Sequence, residues 1–321
     1  MAHTRVYRDG TLEAEGFDPE KISDYLAEDG TLVWLDLCTD DGDHLSLISE
    51  ELSLDGLAVE DALNRRQRPK VDRYPGHLFV TVYSARVGET VADLSLAEVS
   101  AFVTDRALVT VHDAAFHPDA LAERWDSSPD LLVGGSGGLL HGLLDLVVDS
   151  HFEAVQRLDD EVDNIEDLLF QDRQDKNMQQ RTFAMRKSLV RLRRVVLPMR
   201  EVLNTLLRRD LRIVGPELTS NYQDVYDHTL RASEWTESLR DMTSTIFETH
   251  LSMQDHRLND VMKKLAAWAA IISVPTAVTG YFGQNVPYPG FGRDWGFWAS
   301  LVVMAAIGSA LYGAFRKRDW L

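Results

Sequence analysis

The sequence predicts an α+β membrane protein: an N-terminal α/β domain, a long helix and two C-terminal transmembrane helices. Three observations carry the prediction. Residues 265–282 (LAAWAAIISVPTAVTGYF) and 295–315 (WGFWASLVVMAAIGSALYGAF) are runs of 18 and 21 residues without a charge, close to the ~20 residues that cross a ~30 Å hydrocarbon layer. Residues 217–274, 58 in all, contain neither Gly nor Pro, which predicts a helix about 85–90 Å long. Short β-rich runs alternate with helical spacing over residues 1–130, the pattern of an α/β layer fold.

The β-rich runs are 32–37, 77–84, 99–103 and 107–111, with helical spacing at 43–64. The piece 134–138 (GGSGG) reads as a loop before a helix. No Gly-Lys-Ser/Thr follows it, so it is not a P-loop, and no nucleotide site is visible elsewhere. Residues 1–138 therefore form the first domain. From residue 139 to 263 the pattern is helical. An acidic segment at 153–175 contains Asp159, Asp160, Glu161, Asp163, Glu166 and Asp167, a basic stretch at 181–212 is ended by Gly215-Pro216, and the long helix follows. Residues 264–321 form the membrane hairpin with a basic tail.

Orientation follows from the cations. Lys263 and Lys264 precede the first span and Arg316, Lys317 and Arg318 follow the second, while the connecting loop holds only Arg293. Lys and Arg collect on the cytoplasmic side. Both termini are expected to be cytoplasmic, with the protein multi-pass in the cell (inner) membrane. Ala305, Ser309 and Gly313 recur every four residues on the second span, a spacing that serves close helix packing in lipid, within the hairpin or between copies.

The 321 residues carry a formal charge of −18. This argues against a nucleic-acid partner, which calls for a basic footprint. The single cysteine, Cys38, excludes an internal disulfide framework. Residues 1–10 are polar, without the apolar run of a signal peptide. Residues 264–321 are net +3 and the basic stretch 181–212 is net +8, which leaves −29 on the rest of the cytoplasmic part. Acidic walls concentrate cations, and the same charge also serves plain solubility.

Two series run along the long helix. Trp235, Leu239, Met242, Ile246 and Met253 form an apolar packing stripe. The second series is Asp241, Thr245, Glu248, Ser252, Asp255, Asn259 and Met262, in steps of four and three along one seam. The same steps continue through Ala266, Ala269, Ser273, Thr276, Gly280 and Gly283, all small or weakly polar, while Trp268, Ile271, Ile272 and Tyr281 fall elsewhere. Two helices cannot enclose a wet path alone, so several copies around an axis would be needed. In such an assembly the seam becomes rings of oxygens, Glu248 and Asp255 are candidate metal-binding carboxylates, and Met262 or Leu265 forms a hydrophobic neck. A solvated outer face also accounts for the cytoplasmic part of the series.

The residues after the first span, Tyr281-Phe-Gly-Gln-Asn285, resemble the YGMNF signature of the CorA divalent-cation channels. So do residues 61–70 (DALNRRQRPK) before Tyr74, 108–112 (LVTVH), the stretch from Leu192 to Glu201 with Pro198, and the tail 315–321 (FRKRDWL). The resemblance covers nearly the whole chain. It implies a funnel-shaped homopentamer with a pore-lining long helix, selectivity residues at Gly283, Gln284 and Asn285, and transport of Mg²⁺, often with Co²⁺ and Ni²⁺. It also implies regulatory Mg²⁺ bound between subunits, which closes the channel. The chain departs in two places. Gln284 stands where Met is usual, and the outer loop lacks the acidic residue many members carry, presenting Arg293 beside Asp294 instead. The zinc-linked ZntB branch also varies the middle position, so a Zn²⁺ transporter, with or without proton coupling, is the second reading. A membrane-anchored scaffold is the third.

Mg²⁺ dehydrates reluctantly and keeps several waters. An amide oxygen at Asn285 would hold the hydrated ion through those waters without adding charge, and the hydroxyls of Ser273 and Thr276 offer further stations. Zn²⁺ favours nitrogen and sulfur ligands, and neither span contains His or Cys. His112, His117, His141 and His151 read as surface or packing histidines.

Overall fold

The computed structural model describes residues 3–39, 42–65, 67–170, 178–208, 211 and 213–321. Arg66 of the 61–70 motif, the end of the acidic segment and residues 209, 210 and 212 of the basic stretch lie outside the described residues. The chain divides into two compact units, Met1–Ile246 and Phe247–Leu321.

In the first unit the strands are β1 (His3–Arg8), β2 (Thr11–Glu15), β3 (Thr31–Cys38), β4 (Lys70–Tyr74), β5 (His77–Val87), β6 (Leu94–Val103) and β7 (Ala107–His112). Among the described residues they form one seven-stranded sheet in the order β2-β1-β3-β7-β6-β5-β4. All pairs are antiparallel except β3 with β7, which is parallel. Alternation sorts side chains to the two faces. Trp34, Val80, Val82, Val99 and Leu108 join one core with helical residues such as Leu140, Leu144, Met199 and Tyr222. Val33, Leu35, Leu37, Val109 and Val111 join the other with Leu45, Ile48, Ala58 and Ala62. Because β3 and β7 are covered on both faces, they read as continuous apolar runs.

The helices are α1 (Ile22–Ala27), α2 (Gly42–Glu51), α3 (Gly56–Asn64), α4 (Pro118–Ser127), α5 (Pro129–Leu132), α6 (Ser136–Phe170), α7 (Met178–Leu206), α8 (Thr219–Phe282) and α9 (Asp294–Lys317). The helical spacing at 43–64 becomes two helices because Ser53 turns at φ 51° and Asp55 caps α3 through the Leu57 N–H at 2.9 Å. The glycine-rich piece is only partly a loop, since α6 starts at Ser136. The glycines inside α6 answer to close packing: a Cβ at Gly138 would overlap the Leu131 carbonyl oxygen. Helices α6 and α7 are tied by Arg181 to Glu161 at 2.8 Å, and α7 to α8 by Arg193 to Glu237 at 3.1 Å.

The upper part of α8 corrects the apolar stripe. Leu239 and Ile246 are buried, but Met242 is 38% exposed. The buried strip instead includes Tyr222, Val225, Thr229, Thr236 and Thr243. Three threonines spaced by seven bury their hydroxyls by donating to the carbonyls of Val225, Ala232 and Leu239 at 2.7–2.9 Å. This satisfies each polar group on its own helix.

The histidines pack as expected, with one exception in chemistry. His141 and His151 are buried and His117 is exposed. Complete burial holds the His151 ring neutral, its pKa pushed down to about 4. His112 is also buried, but its Nε2 lies 2.8 Å from Asp36 Oδ2 and its Nδ1 2.6 Å from the Asp113 carbonyl oxygen. Both ring nitrogens face acceptors, which suits the doubly protonated imidazolium. Burial opposes that charge, yet Asp36 and Asp113 outweigh it and raise the His112 pKa.

Candidate functional site: the seam of α8 and the turn that ends it

α8 includes the first candidate span and α9 contains the second. Pro275 lies inside α8 and has no N–H to offer the Ile271 carbonyl, but the helix continues through it to Phe282.

Every predicted seam residue is exposed on the single chain: Asp241, Thr245, Glu248, Ser252, Asp255, Asn259, Met262, Leu265, Ala269, Ser273, Thr276 and Gly280. The buried residues of the span, Ala267, Val274 and Val278, lie on another side of the helix. The chain therefore leaves the seam open while its packing residues point elsewhere. Met262 and Leu265 are 63% and 61% exposed, an unfavourable state for two adjoining large apolar groups unless lipid or another copy covers them.

The carboxylates Asp241, Glu248 and Asp255 are spaced by seven residues, or about 10 Å along the axis. Carboxylates so far apart cannot share an ion that demands oxygens at about 2–2.6 Å. Among the described residues no three His, Cys, Asp or Glu side chains are grouped to hold a metal. Only additional copies would bring matching carboxylates together. Asp241 is also engaged by Arg240 at 2.8 Å. With Thr245 it lines a crevice shared with Ser238 and with Glu166 of α6. Sequence periodicity did not connect Glu166 with this seam, because it belongs to another helix.

Two of the three Ser and Thr hydroxyls within the span, those of Ser273 and Thr279, have their protons committed. Ser273 donates to the Ala270 carbonyl at 2.7 Å and Thr279 to the Pro275 carbonyl at 2.8 Å. A hydroxyl that spends its proton on the backbone presents lone pairs outward. Such oxygens accept from the waters around a cation.

At the end of α8 the Gly283 N–H donates to the Thr279 carbonyl at 2.8 Å and the Gln284 N–H to the Tyr281 carbonyl at 3.4 Å. A Cβ on Gly283 would sit 2.8 Å from the same Thr279 oxygen, so any side chain there would displace the turn. A helix C-terminus offers free carbonyls and the negative end of the helix dipole. Gly283, Gln284 and Asn285 stand there, all exposed. The turn is backed by a ring cluster absent from the sequence reading. Tyr288 lies 6.1 Å from Tyr281, 5.1 Å from Phe282 and 5.3 Å from Phe291 between ring centroids.

An α/β unit and two helices that each hold an apolar stretch long enough to cross a membrane, the 64-residue α8 and the 24-residue α9, with an exposed oxygen-bearing seam ending in a carbonyl-rich turn, define a membrane protein of the ion-transport class. Comparison with known proteins makes the assignment specific. The family described as CorA-like Mg2+ transporter protein matches residues 29–317, and the chain belongs to that family. It is 28% identical over 336 residues to the cobalt/magnesium transport protein CorA of Thermotoga maritima, covering 100% of this chain and 95% of that protein. It is 25% identical over 279 residues to the zinc transport protein ZntB of Yersinia enterocolitica, covering 84% of this chain and 81% of that protein. Its fold superimposes on the complete CorA magnesium transporter structure from Methanocaldococcus jannaschii with a TM-score of 0.80 at 22% identity, covering 100% and 99% of the two chains. These relatives are transport proteins and not enzymes.

Proposed function

We propose that the protein is a passive channel for hydrated divalent cations that imports Mg²⁺, with Co²⁺ and Ni²⁺ as further cargo. It works as a homopentamer, the number the family resemblance implies, in the cell (inner) membrane with both termini cytoplasmic. The observation that carries the proposal is the exposed seam of the second unit, from Glu248 to Asn285, which is polar or small at nearly every step and unpacked on its own chain.

Ions enter past the collar of Asn285 side chains, whose amide oxygens accept from the ion's water shell. Free carbonyls at the end of α8 add partial negative charge without binding so tightly that the ion stays. Ser273 and Thr276 serve as water-mediated stations, Leu265 and Met262 as an apolar neck, and Asn259, Asp255, Ser252, Glu248, Thr245 and Asp241 as the exit. A membrane potential of ~100 mV is worth ~2.3 kcal/mol per charge, and twice that for a divalent ion. Import then requires no nucleotide.

Such a path needs a closed state. Cytoplasmic Mg²⁺ held between subunits would bridge carboxylates that otherwise repel. The exposed Glu153, Asp160, Asp163 and Asp167 on α6 fit this chemistry, since hard oxygen donors suit Mg²⁺. The similarity to a zinc transport protein and Gln284 in place of Met support Zn²⁺ as the second cargo to test.

The experiment is flux into liposomes containing the purified protein, with Mg²⁺ or Zn²⁺ outside and with potential and pH gradient set independently. Mg²⁺ entry that follows the potential alone, and that Asn285→Ala changes strongly, supports the proposal. Zn²⁺ entry that requires the pH gradient favours the second cargo. Absence of flux for both ions leaves the hairpin as an anchor.

A further inference from the structure

We infer that Tyr288, in the loop between α8 and α9, is the positioning residue for the Gly283-Gln284-Asn285 turn. The inference rests on the proposed role of that turn and adds the group that holds it in place. Asn285 is exposed and sits three residues beyond the end of α8. Its side chain can present an oxygen at a fixed point only if the turn itself is fixed.

One ring contact closes the segment. Phe282, the last residue of α8, and Tyr288 meet edge to face with centroids 5.1 Å apart and planes at 79°. The five residues 283–287 are thus a short loop pinned at both ends by one aromatic contact. Tyr281 flanks the same ring at 6.1 Å, and Phe291 caps it at 5.3 Å and 87°. The Phe282 and Phe291 contacts are edge to face, a favourable arrangement for aromatic pairs, and the Tyr281 ring is tilted. Tyr288 is half-buried, whereas Tyr281 and Phe291 are 55% and 51% exposed, so Tyr288 is the hub of the cluster.

The far side of the loop is anchored as well. The Phe291 N–H donates to the Tyr288 carbonyl at 2.9 Å and the Arg293 N–H to the Gly290 carbonyl at 3.1 Å. Gly290, at φ 92°, meets the first turn of α9 so closely that a Cβ on Gly296 would lie 2.5 Å from the Gly290 carbonyl oxygen. The loop is therefore a strap with one end on the last turn of α8 and the other on the first turn of α9. Tyr288 is where the strap grips the selectivity turn. Its ring makes these contacts, so Phe should replace it and Ala should not.

The test uses full-length protein in liposomes, reading the half-saturating Mg²⁺ concentration separately from maximal flux per protein. Tyr288→Ala is expected to raise half-saturation about tenfold, as expected from losing aromatic pairs, while Tyr288→Phe stays within about twofold of wild type. General damage would lower maximal flux and leave half-saturation alone, and that result would overturn the inference. So would a Tyr288→Ala protein with wild-type half-saturation. If Tyr288→Ala does not assemble, Tyr288→Leu retains the apolar volume without the ring edges and is read in its place, with the same expected shift. Asn285→Ala runs in parallel. If it shifts half-saturation and the Tyr288 variants do not, the inference fails and the role of the turn stands. If Asn285→Ala has no effect either, both fail.

Discussion

Replacing Gly280 by Ala separates the chain's own needs from those of an assembly. A Cβ at this position meets nothing within 4 Å in the chain. Ala is the better helix residue by about 1 kcal/mol, so one chain should be unharmed or slightly more stable. If copies of α8 face one axis, each added methyl projects ~1.5 Å inward, and facing subunits together remove roughly 3 Å of bore. A hydrated Mg²⁺ ion spans about 4 Å between opposite water oxygens, so this loss is comparable with the cargo itself. We predict that Gly280→Ala lowers Mg²⁺ entry at least about tenfold in liposomes, while the apparent melting point in detergent is unchanged or about 2 °C higher. Wild-type flux from a stably folded Gly280→Ala protein would refute the placement of the seam, because a methyl cannot be silent in a tight path.

Gly283→Ala should behave differently. Its methyl meets the Thr279 carbonyl oxygen at 2.8 Å within the same chain, so we expect reduced flux together with a changed half-saturating Mg²⁺ concentration, measured in the same assay. Asp36→Asn should destabilise the α/β unit by roughly 3 kcal/mol near pH 6, the low end for breaking a buried ion pair, because it leaves His112 without its carboxylate partner. The folded pKa of His112 is raised, so the pair's contribution is complete below about pH 6.5 and declines as pH rises through the folded value. The wild-type melting point should therefore fall from pH 6 toward pH 9, and the gap to Asp36→Asn should narrow. Thermal unfolding followed by tryptophan fluorescence checks this, with Trp34 bonded to the same network through Thr110 at 3.0 Å.

The membrane helices were legible because the absence of charge over some twenty residues has few other meanings. Strands β3, β5, β6 and β7 were legible because they lie inside the sheet and are apolar. The edge strand β2, its neighbour β1 and the edge strand β4 escaped notice. Their alternation is filled with charges that pair across or along the ladder, as Arg5 does with Glu15 at 2.9 Å, Arg8 with Glu13 at 2.8 Å and Lys70 with Asp72 at 2.7 Å. Thr229, Thr236 and Thr243 are polar residue types, yet each hydroxyl is consumed by its own helix, so the buried strip they belong to has no apolar signature in the sequence. The Asp36–His112 pair joins residues 76 positions apart and depends on the parallel register of β3 with β7. The ring cluster around Tyr288 has no period at all. Contacts made across a loop depend on how the chain turns, which spacing alone does not encode.

The most direct measurement places the only reactive thiol on the seam. Thr276→Cys in a Cys38→Ser background carries one cysteine, since Cys38 is the chain's single one. A charged, membrane-impermeant thiol reagent is added to liposomes while Mg²⁺ entry is recorded. A wet path shared by several copies of α8 predicts that residue 276 is modified from the aqueous phase and that flux falls by more than about 90%. A cysteine that stays unmodified in intact membranes, or one that is modified while Mg²⁺ continues to enter at the wild-type rate, would contradict it.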